Sequence, residues 1–176
     1  MQMLIRDAVP ADFPAILALN ETFVAVLSPL DEARLAHLHA QAAQHRVVER
    51  AGEVLAFALT LREAADYDSP NYRWFAARYP RFLYVDRIVV SACAHRLGVG
   101  RQLYRDAHAY ARVQQVPMLV CEYDIAPPNP TSADFHAALG FAEVGRQMLG
   151  AGKEVSLQAL DVAADTPLSE AAPTAT

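Results

Sequence analysis

The chain has 176 residues, 15 Lys plus Arg against 20 Asp plus Glu, and a formal net charge of −5. That length suits one domain whose core needs no staples. The acidic balance argues against a nucleic-acid partner, which calls for a basic surface; it would welcome a cationic substrate, although mild acidity is also the common state of soluble proteins. Cys93 and Cys121 lie far apart without metal-ligand spacing, so the expectation is a reducing cytoplasm with neither a disulfide framework nor a metal site. The N-terminus lacks the basic-then-apolar pattern of a signal peptide, and no apolar run approaches the roughly 20 residues of a membrane span.

In chain order, "MLIRDA" reads as a strand. Phe13, Ile16, Leu17 and Asn20 then recur at helical spacing, with Asp12 placed to cap and Pro14 in a first turn, where its missing N–H costs little. After a Ser-Pro break, Leu35, Leu38 and Ala42 share one face of a second helix, whose start Asp31 and Glu32 favour. His37, His39 and His45 along that helix and its exit read as a solvated face, since only His37 and Gln41 share an i, i+4 face. "HRVVERAGEVLAFALTLRE" is a hairpin around Ala51-Gly52. "AADYDSPNYRWFAARYPR" interrupts the pattern, too polar for a clean strand and too broken for a long helix. "FLYVDRIVV" is the strongest strand, β-branched and aromatic. "ACAHRLGVGRQLYRDAHAYAR" is a loop and then a helix with Val99, Leu103, Ala107 and Ala111 on one face. "VPMLVCEYDI" is a further strand, and "APPNP" forbids regular structure. Ser132 to Leu139 form a short helix ended by Gly140. "FAEVGRQML" and "KEVSLQALDV" close the sheet around "GAGK".

The order β-α-α-β-β-β-α-β-α-β-β describes an α/β domain over residues 1–162, with a mixed central sheet flanked by helices. A parallel crossover is expected where strand, helix and strand run from 81 to 124. The small, polar, proline-containing residues 163–176 read as a disordered tail.

A strand, a G-x-G loop and a helix can hold phosphate. The helix N-terminus offers unpaired N–H donors and a partial positive charge, and Gly98 and Gly100 let a ligand approach the backbone. Arg96 and Arg101 can add ionic contacts. A capped helix start without ligand fits the segment equally well. Neither a G-x-G-x-x-G, since Leu103 takes the third position, nor a G-K-[ST] is present.

"VDRIVVSACAHRLGVGRQLYRDAHAYA" resembles the acetyl-CoA-binding core of the GNAT superfamily of N-acetyltransferases, whose pattern is a strand, then [QR]-x-x-G-x-[GA], then a helix. Gly98 and Gly100 match; the [QR] position falls on His95, with Arg96 beside it. "NPTSADFHAALGF" is similar to a second family segment, an Asn followed by a short helix ending in L-Y-x-x-x-G-F. Asn129, Gly140 and Phe141 keep the spacing, and the family's Tyr falls on His136. The element order agrees to about residue 162, and the insert resembles a bacterial branch of predicted acetyltransferases. The resemblance implies acetyl-CoA in a cleft where strand 82–90 splays from strand 117–125. The pantetheine arm would pair with the backbone of Ile88, Val89 and Val90. The pyrophosphate would sit on the amides from Arg96 through Leu97, Gly98, Val99 and Gly100 to Arg101, and His95, Asn129 and His136 would also contact the donor. A strand N–H would stabilise the oxyanion as an amine attacks the thioester.

Direct transfer needs a base for the amine and an acid for the leaving thiolate. His136 stands where the family often has its acid, a role that requires a cationic imidazole; the alternative is a donor contact, with the thiolate leaving unprotonated. Asp86 and Glu122 are the candidate bases. Asp86 interrupts an apolar strand, which is costly unless it is paired or functional, and strand alternation sends its neighbour Arg87 to the opposite face. Water-mediated deprotonation is a further route. A Cys121 acyl-enzyme is disfavoured, since buried strand cysteines are usually inert. The resemblance places the acceptor near Asn20, Glu21 and Ser28, and near Tyr67, Asp68, Asn71, Tyr72 and Trp74 of the insert.

The expected activity is acetyl-CoA-dependent N-acyl transfer to an amine of a small molecule or peptide. The rivals are a catalytically silent acyl-CoA-binding regulatory or interaction module and a nucleotide-binding enzyme using the same loop. Neither nucleic acid nor membrane is an expected partner. A homodimer could use the outer strand pair at the C-terminus.

Overall fold

The computed structural model describes residues 3–23, 27–164 and 166–168. Its elements are β1 (Leu4–Asp7), α1 (Phe13–Glu21), α2 (Glu32–Gln41), β2 (Ala42–Arg50), β3 (Glu53–Arg62), α3 (Pro70–Ala76), β4 (Leu83–Val90), α4 (Val99–Val113), β5 (Met118–Ala126), α5 (Pro130–Leu139), β6 (Ala142–Met148) and β7 (Glu154–Asp161). They build a seven-stranded sheet in the order β1-β2-β3-β4-β5-β7-β6. Only β4 and β5 pair in parallel, joined through α4 as the crossover reading expects.

Strand alternation feeds both faces. Val47, Phe57 and Val89 pack with Phe13 and Ile16 of α1 and Leu35 of α2. Their sequence neighbours Val48, Ala56 and Ala58 pack with Val99 and Leu103 of α4. One helix is added to the expected order. In the insert, Ser69 caps α3 by accepting from the Tyr72 N–H, Pro70 occupies the first turn, and Tyr72 and Phe75, three apart, are buried. The Ser-Pro start is the sequence signal for it.

Three local expectations change. Asp12 does not cap α1. The turn Pro10–Asp12 gives it helical backbone angles, so its carboxylate points back to the Val9 N–H at 2.8 Å and to Arg6 at 2.7 and 2.8 Å. Arg6 holds that carboxyl below its usual range. The second helix ends at Gln41, because Ala42 is extended and opens β2. The histidines do not form a solvated face: His45 is buried on β2 against Phe13 and Phe57, with its Nδ1 2.8 Å from that of His39. Past residue 162, Leu168 is buried in the cluster that holds Leu139 and Phe141, so packing continues into the expected tail; residues 169–176 of that tail lie outside the described residues. Among the described residues no helix is long and apolar enough to cross a membrane.

Burial and the neighbouring His39 push His45 down to about 4, and burial also lowers His108 and His136. An unfolded histidine protonates near about pH 6.5. Below that value the unfolded chain binds more protons than the folded one, so stability is fully present above it and is lost as pH falls toward 4. The urea midpoint should therefore drop between about pH 6.5 and pH 5, and His45→Gln should flatten that slope. An unchanged slope would show that His45 protonates without unfolding.

Candidate active site

Registered pairing of β4 with β5 is confined to Leu83↔Leu119 and Tyr84↔Val120. Beyond Tyr84 the strands part, and a cleft of about 1590 Å³ opens between them. The parting coincides with a bulge. Leu59 of β3 faces Arg87 and the next residue, Thr60, faces Val85, so Asp86 is an extra residue in β4. Leu83 and Val85 pack on the α4 side, and Ile88 and Val90 do so again after the bulge. A bulge bends its strand and re-aims side chains. It also corrects the expectation that Arg87 faces away from Asp86: Arg87 Nε donates to Asp86 Oδ2 at 2.6 Å, and both side chains are 4% exposed. Arg87 further donates to Asn20 Oδ1 at 2.8 Å and to the Ser28 carbonyl at 3.3 Å. Tyr67 donates to the other Asp86 oxygen at 2.5 Å. Each Asp86 oxygen thus accepts a donor, and the carboxylate has an ionic partner in Arg87.

Glu122 of β5 is in the opposite condition. Tyr84 and Asn71 both donate to its Oε1, each at 2.9 Å, while Oε2 is buried without a hydrogen-bond partner. Burial first, and then the charge of Asp86, push this carboxyl up to about 8, against the opposing bonds from Tyr84 and Asn71. Asp124, on the same strand, is paired with Lys153 at 3.3 Å.

At the other end of the cleft α4 starts at Val99 behind Gly98, whose φ of +75° suits glycine. Gly100 lies against Phe135, 3.4 Å from where a Cβ would stand. Arg96 and Arg101 line the cleft. His95 donates from Nε2 to the Val90 carbonyl at 2.9 Å, tying the loop to the end of β4.

His136 is buried on α5. Its Nδ1–H donates to the Ser132 carbonyl at 2.7 Å, so Nε2 is the acceptor for the Tyr104 hydroxyl at 2.7 Å. Tyr123 stacks on the ring. Burial lowers its pKa. This imidazole is neutral with its one N–H committed, which removes the ground for the acid role expected of it. Cys121 is nearby but burial pushes its thiol well above the ordinary range, so it is an inert thiol.

A family model described as the acetyltransferase (GNAT) family matches residues 13–141. The chain belongs to that family. No curated protein matches it. Solved structures share the fold. The N-acetyltransferase from Staphylococcus aureus Mu50 is 21% identical, with a TM-score of 0.69 over 92% of this chain and 99% of that one. The structure of yncA from Salmonella typhimurium with its cofactor acetyl-CoA is 20% identical, with a TM-score of 0.70 over all of both chains. The ribosomal-protein-S18-alanine N-acetyltransferase from Escherichia coli is 17% identical, with a TM-score of 0.68 over 99% of each chain.

The residues present in this GNAT-family chain would fit an acetyl-CoA molecule. The β4 edge beyond Tyr84 is not paired with β5, and the first turn of α4 offers N–H donors beside two arginines. Among the described residues no group of three or more His, Cys, Asp or Glu is arranged to hold a metal ion. The cleft collects Glu21, Tyr67, Asp86, Ile88, Val90, His95, Arg96, Gly98, Val99, Gly100, Arg101, Glu122, Asn129 and His136. Asn129 also caps α5 by accepting from the Ser132 N–H. Five expected residues do not line it. Val89 packs toward α1, and Leu97 is exposed. Asn20 stands behind Arg87. Tyr72 is buried, donating to the Arg62 carbonyl and accepting from the Ala65 N–H. Trp74 packs on Gly145 and under Arg78. Tyr84, Tyr104 and Lys153 line the cleft unforeseen; nothing local marks the strand residue Tyr84 as facing a carboxyl on another strand.

His136→Phe should lower thermal stability, since it strands the buried Tyr104 hydroxyl at a cost of about 1–3 kcal/mol. Turnover and acetyl-CoA affinity should stay within about threefold, well short of the hundredfold or larger effect typical of general acid catalysis. A loss of turnover on that larger scale in a folded variant would reinstate the acid role.

Proposed function

We propose that this enzyme transfers the acetyl group of acetyl-CoA directly to the amine of a small molecule or peptide, with Glu122 as the general base. The observation that carries the reading is the state of Glu122. It is a carboxyl in the cleft without an ionic partner, raised to about 8, with Oε2 free of hydrogen bonds. A base with a pKa near the working pH can both take and return a proton. The neighbouring Asp86 is ion-paired with Arg87 and hydrogen-bonded by Tyr67, so the two acids have separate tasks.

In this reading the donor's pantetheine arm lies along the backbone of Ile88, Val89 and Val90, adding to the β4 edge. Its pyrophosphate rests on the amides from Arg96 to Arg101, helped by both arginines. An acceptor amine enters beside Tyr67 and Glu21. Glu122 removes its proton, the nitrogen attacks the thioester carbon, and a β4 N–H stabilises the oxyanion. The carbon–sulfur bond then breaks, and the acylated nitrogen releases its remaining extra proton to solvent. A thiol with a pKa of about 8–9 is an acceptable leaving group as the thiolate, which suits a site where the one N–H of His136 is committed to the Ser132 carbonyl. At the acceptor end Asp68 is paired with Arg34 and Asp31 caps α2, which leaves Glu21 as the acid that favours a cationic acceptor.

Isothermal titration should show acetyl-CoA binding, and a thiol-release assay over an amine panel should show turnover with at least one cationic amine. Binding without release on any amine would instead favour a silent acyl-CoA module. Glu122→Gln should lower kcat about a hundredfold or more with little change in acetyl-CoA affinity. The carboxylate is the active form, so kcat/KM of the native enzyme should rise through about pH 8 and level above it, and Glu122→Gln should abolish that rise.

A further inference from the structure

We infer that Asn71 and Gln147 are positioning residues for Glu122: two side-chain amides in series load its Oε1 and thereby assign the exchangeable proton to Oε2. The inference rests on the reading of Glu122 as base and adds which atom acts and what holds it. The relay begins on the outer strand β6, where Gln147 Nε2 donates to Asn71 Oδ1 at 3.0 Å. With its oxygen taken, Asn71 can present only its NH₂ to Glu122, and Nδ2 donates to Oε1 at 2.9 Å. The Tyr84 hydroxyl donates to the same oxygen at 2.9 Å. An oxygen that accepts two fixed donors is a poor place for a proton, so protonation falls on Oε2, the buried oxygen without a partner.

The packing holds this geometry. Asn71 is 7% exposed. Trp74, one turn further along α3, sits so close to Gly145 of β6 that a Cβ there would lie 2.5 Å from its ring. Glycine at 145 therefore lets α3 settle on β6, which brings Asn71 to Gln147, two residues past that contact. The insert, which the resemblance placed at the acceptor site, thus delivers a donor to the catalytic carboxyl.

The relay has a directional consequence. The Asn71 bond favours the carboxylate, opposing burial and the charges of Asp86 on β4 and Asp124 on β5. Those acids are themselves paired with Arg87 and Lys153. Tyr84 of β4, Tyr104 of α4 and Cys121 of β5, the other titratable neighbours, are held neutral by burial. Loss of the Asn71 donor should therefore raise the pH at which Glu122 becomes active without removing its ability to act.

The test is the pH profile of kcat/KM in Asn71→Leu and Gln147→Met, with acetyl-CoA affinity measured on each to establish an intact cleft. Asn71→Leu should move the rising limb up by about one pH unit, so that activity at pH 7 falls about tenfold and recovers to within about twofold at alkaline pH. Gln147→Met, at a partly exposed strand position, should move the limb the same way by less, because Asn71 is then free to turn its oxygen toward Glu122. An unmoved limb in both variants, or a loss independent of pH with affinity retained, would overturn the relay. Glu122→Gln separates the two readings. If the limb persists there, the assignment of Glu122 as base has failed; if it vanishes there yet stays put in the amide variants, only the relay has failed.

Discussion

The buried ion pair of Asp86 and Arg87 is the constraint on which the site depends. An extra residue in a central strand is unfavourable unless something holds it. Here Tyr67 and Arg87 occupy the two Asp86 oxygens, and Arg87 is anchored in turn to Asn20 at the end of α1 and to the Ser28 carbonyl. A buried pair of this kind is weak evidence for stability, since desolvation of both ions offsets their attraction. What it supplies is position. It locks the bend of β4 to α1 and to the connection after β3, and the bent strand parts from β5 where the cleft opens.

Two carboxyls face each other across that parting, and their surroundings drive them apart in character. Asp86 has a cation and a phenol. Glu122 has two neutral donors on one oxygen, little water, and the charge of Asp86 nearby. The ion pair thus does a second job: a charged Asp86 keeps Glu122 reluctant to ionise. One acid is spent on architecture and the other is kept near neutrality, the usual way in which similar groups take different roles in one site.

The histidines teach a complementary lesson. His95, His136 and His45 drew notice as the residues at family positions or in a cluster. In the fold each is tied up: His95 to the Val90 carbonyl, His136 to Ser132 and Tyr104, and His45 to His39. Two of them are pushed down by burial. An imidazole that titrates near neutrality in water is an obvious catalytic candidate on paper, and the same ring loses that capacity when buried among apolar and aromatic groups.

Most of the element order was legible in the sequence. Apolar periodicity, Ser-Pro starts, the Ala51-Gly52 turn and the glycines at 98, 100 and 140 are local signals with local causes, and they carried the crossover, the glycine-led start of α4 and the family resemblance. The missed α3 had such a signal in Ser69-Pro70, but the aromatic run around it obscured the helix. The catalytic arrangement was only partly legible. Asp86 and Glu122 stood out as acids in apolar strands, yet which one is free depends on a bulge that shifts register by one residue, and register is a property of paired strands. The partners of Glu122 come from β4, α3 and, through Asn71, from β6: Asn71 lies 51 residues from Glu122 in the chain, and Gln147 lies 76 residues from Asn71. By itself the sequence determined which elements form and which residue types could do the chemistry. Only the tertiary structure decided which of them keep an unpaired oxygen or a free proton, because burial, charge and hydrogen bonding at the site are set by residues that meet nowhere but in the folded chain.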